Sequence, residues 1–215
     1  MSSTRYFGFQ QNFTFTEKGN GAYTAKIFKV RIQIIERMFK KLKFITGSAL
    51  KILYALALNP MRAFYQREIA KEAKVSVGSA NRTLKVLVEN ELVTKEKRGK
   101  IFLYKFNTEN TVARQMKILF KVNELDGLVR ALKEHSKRVI LFGSCAEGND
   151  VKESDVDLFV LTNEKGVVRK TINSYDGSGK IAPIIVDVND FAKIRNEDKP
   201  LYDNILRGIK LWETE

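Results

Sequence analysis

Two hydrophobic runs that meet at a glycine-serine turn and an Asp-x-Asp pair constrain the fold of this chain most. The run at 139–142 leads directly into Gly143 and Ser144, and after ten intervening residues Asp155 and Asp157 open a second run. Residues i and i+2 of a strand point to the same face, so the two carboxylates can share a hard cation. Mg²⁺ prefers a few carboxylates together with phosphate oxygens. Because a turn that opens a helix offers free N–H groups to phosphate, the pattern predicts a site for Mg²⁺ and a polyphosphate.

The combination of Gly-Ser turn, spacing and Asp-x-Asp pair resembles the signature of the nucleotidyltransferase superfamily over residues 136–212. It is most similar to the minimal prokaryotic nucleotidyltransferase domain, whose fold is polymerase-beta-like. The resemblance implies that Gly143 and Ser144 bind a nucleoside triphosphate and that Asp155 and Asp157 are catalytic and hold Mg²⁺. It also implies a third catalytic carboxylate on a neighbouring strand. Asp187, late in the hydrophobic run 180–188, is the candidate, and a cap or loop residue is the alternative.

The activity implied by this resemblance is Mg²⁺-dependent transfer of a nucleotidyl group from a nucleoside triphosphate to a hydroxyl, with pyrophosphate leaving. The chain departs from the family pattern after the turn, where many members carry a basic residue and this chain has Glu147. An acidic group beside a triphosphate is repulsive unless it points away. Three interpretations therefore stay open: an active nucleotidyltransferase, a DNA-binding regulator whose transferase-like domain senses nucleotide or is inactive, and the antitoxin of a toxin–antitoxin pair.

The net charge of +13 is concentrated in the first half of the chain. Residues 1–107 hold 21 Lys and Arg against 7 Asp and Glu, for a net charge of +14, whereas residues 108–215 carry −1. A basic segment joined to a neutral one favours a polyanionic partner for the first. A lysine-rich surface that is merely solvated is the alternative.

The basic half has the element order of a small DNA-binding domain. Apolar spacing predicts a helix at 47–59, a short helix at 66–73, a turn at 74–76 and a third helix that Ser76 or Ser79 caps. Two strand-like runs, 92–94 and 101–104, then enclose a basic loop. Three helices followed by a basic-tipped hairpin resemble a winged helix-turn-helix domain.

In that fold the third helix enters the major groove of double-stranded DNA and the hairpin meets the backbone or the minor groove. Val77, Leu84 and Leu87 belong to the apolar stripe of the third helix. Polar residues are left to face DNA, and Arg and Asn can read guanine and adenine edges. The candidate DNA-binding residues are Ser79, Asn81, Arg82, Lys85, Arg98 and Lys100. A winged helix that binds protein instead is the alternative.

The fold class expected is α+β with two domains, a winged helix-turn-helix followed by a nucleotidyltransferase-like α/β domain with a mixed sheet. The expected segments are a hairpin and helix extension at 1–46, the winged helix at 47–107, a helical connector at 108–135 that breaks at 126–127, and the nucleotidyltransferase-like domain at 136–215. The apolar stripe at 34–42 is either core or the contact of a homodimer. Winged-helix fusions that end in a similar tail, Pro-Leu-Tyr followed by Gly-Ile-x-Leu, resemble archaeal regulators.

Location and redox state follow from what the sequence lacks. No run approaches the length of a membrane span and the N-terminus has no secretory signal pattern, so we expect a cytoplasmic protein without a membrane partner. Cys145 is the only cysteine, which excludes a disulfide framework, and a small residue beside the turn is a better interpretation than a reactive thiol.

Overall fold

The structure is a computed structural model that describes residues 29, 45–177 and 179–214. The extension predicted at 1–46, with its hairpin and the helical stripe at 34–42, lies outside the described residues except for Lys29, Ile45 and Thr46.

Residues 47–106 form three helices and a three-stranded antiparallel sheet. In chain order the elements are α1 (Gly47–Ala57), β1 (Phe64–Tyr65), α2 (Gln66–Glu72), α3 (Val77–Glu89), β2 (Val93–Arg98) and β3 (Ile101–Phe106). The sheet order is β1-β3-β2. The three helices and the hairpin predicted for this part are found at these positions. Strand β1 was not predicted, because a strand of two residues leaves no recognisable pattern in the sequence.

Capping and burial explain why α3 begins at its observed position. The Ser76 hydroxyl accepts a hydrogen bond from the Ser79 N–H, which places the helix start where the sequence predicted it. Leu84 and Leu87 are buried in the core of this half. Val77, predicted for the same stripe, is 48% exposed. Side chains tilt toward the helix N-terminus, so the first residue of α3 projects beyond the packed face.

A single long helix joins the two halves of the chain. α4 (Thr111–Leu132) starts at Asn110, whose side chain accepts from the Ala113 N–H, and a 3₁₀ turn follows at Lys133–His135. The break predicted at 126–127 is not found. A glycine inside a helix costs about 1 kcal/mol, and burial of Leu125 and Leu128 on either side of it offsets that cost.

Residues 138–213 form a four-stranded mixed sheet covered by helices on both faces. The elements are β4 (Arg138–Leu141), α5 (Gly143–Glu147), β5 (Val156–Leu161), α6 (Lys165–Asn173), β6 (Ile181–Val186), α7 (Val188–Glu197), α8 (Lys199–Arg207) and β7 (Ile209–Glu213). The sheet order is β6-β5-β4-β7, in which only the β5–β6 pair is parallel. The mixed sheet expected from the sequence is therefore present.

Alternate residues of the central strands build two cores. Val139 and Leu158 lie in the core that the sheet shares with α4 and α6. Ile140 and Phe159 lie in the core on the other face, where Ile205 of α8 packs. Both faces of β4 and β5 are buried, which explains why their sequences read as nearly continuous hydrophobic runs.

Specific contacts fix two helix ends in this domain. The cap of α7 is Asp187, whose side chain accepts from the Asp190 N–H. Gly208 ends α8 with a φ of −65°, which is open to any residue. The glycine is required by space, since a Cβ there would lie 2.5 Å from the carbonyl oxygen of Leu141.

Across the described residues, no helix has both the length and the apolar character needed to cross a bilayer.

Candidate functional site

The Gly-Ser turn lies directly against the second carboxylate of the Asp-x-Asp pair. Phe142 donates its N–H to the Asp157 carbonyl oxygen at 3.1 Å, which ties the end of β4 to β5. Gly143 follows with φ +67°, and a Cβ on it would lie 2.2 Å from Asp157 Oδ2. Only glycine fits both the backbone angle and the close approach. The structure therefore brings together the Gly-Ser turn and Asp157, which are separated in the sequence by residues 145–156.

The two carboxylates of the pair sit at the start of β5. Asp155 immediately precedes the strand, and Asp157 is its second residue and half-buried. Burial raises the pKa of the Asp157 carboxyl, and the neighbouring Asp155 raises that pKa further. The two charges therefore repel each other, and a cation shared between them would relieve the repulsion.

Lys180 is a residue of the site that the sequence did not reveal. Its Nζ lies 3.1 Å from Asp155 Oδ2, and its side chain is 80% exposed. The contact follows from the parallel pairing of β5 and β6, because Val156 lies opposite Ile181 and the preceding residues of both strands become neighbours. The register of two strands so far apart in sequence has no local signal, so Lys180 could not have been found from the sequence.

The structure does not bring Asp187 to the pair. Asp157 lies opposite Ala182 in the register of β5 and β6, and Asp187 follows the far end of β6. Ala182 and Asp187 are five positions apart along the chain, which is about 16 Å at the usual rise per strand residue. The alternative interpretation, a helix cap, describes Asp187. Its ion pair with Lys165 at 2.7 Å, and then its hydrogen bond from the Asp190 N–H, lower its pKa to about 2.

The remaining residues of the turn are placed by α5. Ser144 is half-buried in its first turn, and Cys145 is buried with its thiol directed at the Asp155 carbonyl oxygen. Burial, and next the charge of Asp150, raise the pKa of the Cys145 thiol to about 11, so it stays protonated near neutral pH. This agrees with a small structural residue.

Glu147, the departure from the family pattern, lies at the far end of α5. Its carboxylate accepts a hydrogen bond from Asn149 Nδ2 at 3.2 Å. Gly148 then ends the helix in the left-handed region, with φ +72°. The Glu147 side chain is therefore exposed at the C-terminal end of this one-turn helix, with Asn149 as its hydrogen-bond partner.

All of the predicted DNA-binding residues except Ser79 are exposed. Asn81, Arg82 and Lys85 are exposed on α3, and Arg98 and Lys100 are exposed at the end of the hairpin. Arg98 also pairs with Glu96 at 2.8 Å. Ser79 differs, because it is half-buried and its hydroxyl donates to Ser48 Oγ at 3.2 Å. Ser79 therefore joins α3 to α1 in this structure.

Nothing in the described part of the chain groups three or more His, Cys, Asp or Glu side chains as a set of metal ligands. A cation at Asp155 and Asp157 would accordingly need phosphate oxygens to complete its coordination, as Mg²⁺ does in many nucleotide sites.

Comparison with known proteins concerns the second half of the chain. Residues 127–215 match a family model described as "Polymerase beta, Nucleotidyltransferase", so this part is a nucleotidyltransferase-like domain. The match begins inside α4, nine residues before the segment expected from the sequence. No curated protein matches the chain significantly.

One solved structure is similar over part of its length. It is the crystal structure of a candidate nucleotidyltransferase from Sulfolobus solfataricus, at 15% identity and a TM-score of 0.28. The similarity covers 46% of this chain and 83% of that one. We draw no conclusion from a likeness at this level.

Proposed function

We propose that residues 136–215 transfer a nucleotidyl group from a nucleoside triphosphate to a hydroxyl acceptor in a Mg²⁺-dependent reaction. The observation that carries the proposal is the close approach of Gly143 to Asp157 Oδ2, with Asp155 beside it. Because Gly143 has no Cβ, the turn packs directly against the Asp157 carboxylate, and a phosphate held by the N–H groups of the turn would lie beside the carboxylates.

The residues present fit a divalent cation that is shared with the substrate. Two carboxylates at the start of one strand repel each other, which is the arrangement that a hard cation relieves. Bound there, Mg²⁺ would neutralise the charge that develops on the phosphate oxygens. The fit requires that Lys180 give up Asp155. Because its side chain is 80% exposed, this ion pair is weak and the ammonium group is free to turn toward an anionic substrate.

The chain's own residues would mainly position the substrate. The N–H groups of Gly143 and Ser144 would hold the terminal phosphates, and Asp155 and Asp157 would align the reacting phosphate through the cation. No residue is assigned to deprotonate the acceptor, because Ala182 stands opposite Asp157 where a third carboxylate would be useful.

The basic half supports a DNA-binding role for the same protein. The order of α1, β1, α2, α3 and the β2–β3 hairpin is similar to a winged helix-turn-helix domain. Asn81, Arg82 and Lys85 are exposed on α3, and Arg98 and Lys100 are exposed at the hairpin end, in a half that carries +14. Affinity for duplex DNA should therefore fall steeply as salt rises, since each neutralised phosphate releases counterion. In a filter-binding titration, Lys100→Ala should reduce the salt slope by about 1.

A second function, a DNA-binding regulator whose nucleotidyltransferase-like domain only senses nucleotide, is favoured by a specific observation. Ala182 occupies the strand position opposite Asp157, where a third carboxylate would be needed to complete the site. Such a site could hold a nucleotide without completing the chemistry. The antitoxin interpretation remains a version of the first function in which the acceptor is a partner protein.

Transfer from α-labelled nucleoside triphosphates tests the proposal. We expect the full chain to label an acceptor from a nucleic acid or protein extract, or itself, in the presence of Mg²⁺. Asp157→Asn should abolish labelling. Asp187→Asn is the matched control, because asparagine still caps a helix and Asp187 lies far from the pair. Nucleotide binding without any labelling would favour the regulator, and labelling that survives in Asp157→Asn would contradict the proposed site.

A further inference from the structure

A groove of about 540 Å³ opens at the edge of the three-stranded sheet, between the start of α2, the start of α3 and the β2–β3 hairpin. Strand β1 pairs with β3 at Leu103 and Tyr104 and then turns into α2, so in the described sheet it does not reach Ile101 or Phe102. Successive strand residues point to opposite faces, so side chains from both faces of β3 meet at this edge. The volume of the groove lies within the range of ligand-binding sites.

The lining of the groove is mainly aromatic and aliphatic, and much of it is exposed. Tyr65 is 47% exposed and Phe102 is 41% exposed, and Val77 and Ile101 are exposed beside them. The buried ring of Tyr104 also contributes to the lining. Single exposed apolar side chains are ordinary on a protein surface, but four that line one groove indicate a surface that meets a partner.

The charges around the groove are basic. The described residues that line it include Arg67 and no acidic side chain. Lys95 holds its Nζ 3.8 Å from the centroid of the Phe102 ring, and Lys97 lies opposite Phe102 in the register of the hairpin. Residues 45–107 contain 12 Lys and Arg against 5 Asp and Glu, for a net charge of +7. Aromatic rings set among basic side chains suit a polyanion that also presents flat apolar faces, which is the chemistry of an unpaired nucleic-acid strand.

The groove lies between the two parts of the basic half that are proposed to meet duplex DNA. Val77 is the first residue of α3, and Arg82 Nη1 lies 3.9 Å from the position that a Cβ on Gly78 would take. On the other side, Lys100 directly precedes Ile101. A duplex held by α3 and the hairpin would therefore pass beside the groove. The bases inside a duplex cover each other's faces, so only an unpaired base can stack on an aromatic side chain.

We propose that this groove binds an unpaired base of single-stranded DNA that continues from the duplex held by α3 and the hairpin. The base stacks on Phe102 or Tyr65, and Lys95 and Arg67 meet the phosphates on either side of it. A neutral protein segment would fill the groove but leave these basic side chains without a partner. The inference rests on the proposed DNA-binding role and adds a preference for DNA whose strands are partly separated.

Fluorescence anisotropy of the full chain with a blunt DNA duplex, and with the same duplex carrying a single-stranded thymine extension, tests the inference. We expect the extended duplex to bind about tenfold more tightly, equivalent to about 1.4 kcal/mol, and to keep most of that advantage as salt rises, because stacking releases no counterion. Phe102→Leu keeps an apolar side chain without the ring, so it should remove most of the advantage and leave blunt-duplex affinity unchanged. Phe102→Tyr should retain the advantage. Leu206→Ala, an exposed apolar residue of α8, is the matched control and should change neither affinity.

A fluorescent base reports stacking independently of affinity. 2-Aminopurine at the first unpaired position should lose fluorescence when the wild type binds and keep it when Phe102→Leu binds. If blunt and extended duplexes bind equally, or if the advantage disappears at high salt, the base site is refuted and duplex binding stands. An advantage that survives in both Phe102→Leu and Tyr65→Leu also refutes it and leaves the groove to a protein partner. If neither DNA binds, the proposed DNA-binding role is refuted together with the base site.

Discussion

Replacing Gly143 with alanine tests the contact that defines the site. The backbone has φ +67° there, and an added methyl group would lie 2.2 Å from Asp157 Oδ2 and 3.1 Å from its carboxyl carbon. A left-handed backbone costs a residue with a Cβ about 1–2 kcal/mol. Turning the Asp157 side chain out of its rotamer to clear the methyl group costs about 1 kcal/mol more. Gly143→Ala should therefore lower the free energy of unfolding by about 2–3 kcal/mol.

Gly99→Ala separates the backbone cost of Gly143→Ala from the cost of displacing the Asp157 side chain. Gly99 has φ +61° at the end of the hairpin, and a Cβ on it would meet nothing within 4 Å. Gly99→Ala should cost only the backbone part, about 1–2 kcal/mol. Urea denaturation followed by far-UV circular dichroism measures both losses.

A double-mutant cycle with Asp157 provides the refutation. In an Asp157→Ala background the carboxylate is gone, so Gly143→Ala should cost no more than Gly99→Ala, a coupling of about 1 kcal/mol. If Gly143→Ala and Gly99→Ala cost the same in the wild-type background, or if the cost of Gly143→Ala is unchanged without the carboxylate, the contact between turn and carboxylate does not exist as described.

Three further predictions follow from pKa values and glycine environments. Asp187, whose pKa is lowered to about 2, stabilises the fold above the ordinary aspartate pKa, so Asp187→Asn should lower stability at pH 7, and the difference should disappear in denaturation curves as pH falls toward 2. Asp157 has a raised pKa, so its ionised form is unfavourable in the fold; Asp157→Asn should raise the melting temperature at pH 7, and thermal melts at acid pH should show the gain lost. Gly208→Ala should destabilise the fold by about 1–3 kcal/mol, because the added methyl group would meet a backbone carbonyl oxygen at 2.5 Å. Gly127→Ala should stabilise the fold by about 1 kcal/mol, because Gly127 lies inside α4 with open space around it. The midpoints of denaturant unfolding curves compare the two variants with the wild type.

The local parts of the site could be predicted from the sequence. The hydrophobic runs at 139–142 and 156–160 specify buried strands, and a Gly-Ser turn between them places Gly143 near Asp157 through neighbouring antiparallel strands. The cap at Ser76 was equally readable, because hydroxyl side chains bond the N–H groups of the turn that follows them.

The parts that could not be predicted depend on long-range register. β5 and β6 are joined by a helix and a loop, and nothing local fixes which residues face each other. The sequence placed Asp187 in the site because it follows a hydrophobic strand, and the register moves it to the opposite end. The same register brings Lys180 to Asp155. The close approach of Gly208 to the carbonyl oxygen of Leu141, which leaves no space for a Cβ, is another long-range contact without a local signal.

Nucleotide binding that depends on Mg²⁺ is the property expected of Asp155 and Asp157. Calorimetric titration of the full chain with a nucleoside triphosphate, with Mg²⁺ and with EDTA, should show binding that requires Mg²⁺ in the wild type and is lost in Asp157→Asn, while circular dichroism shows an intact fold. Asp187→Asn should bind as the wild type does. Equal nucleotide affinity in wild type and Asp157→Asn, or binding that ignores Mg²⁺, would contradict the account.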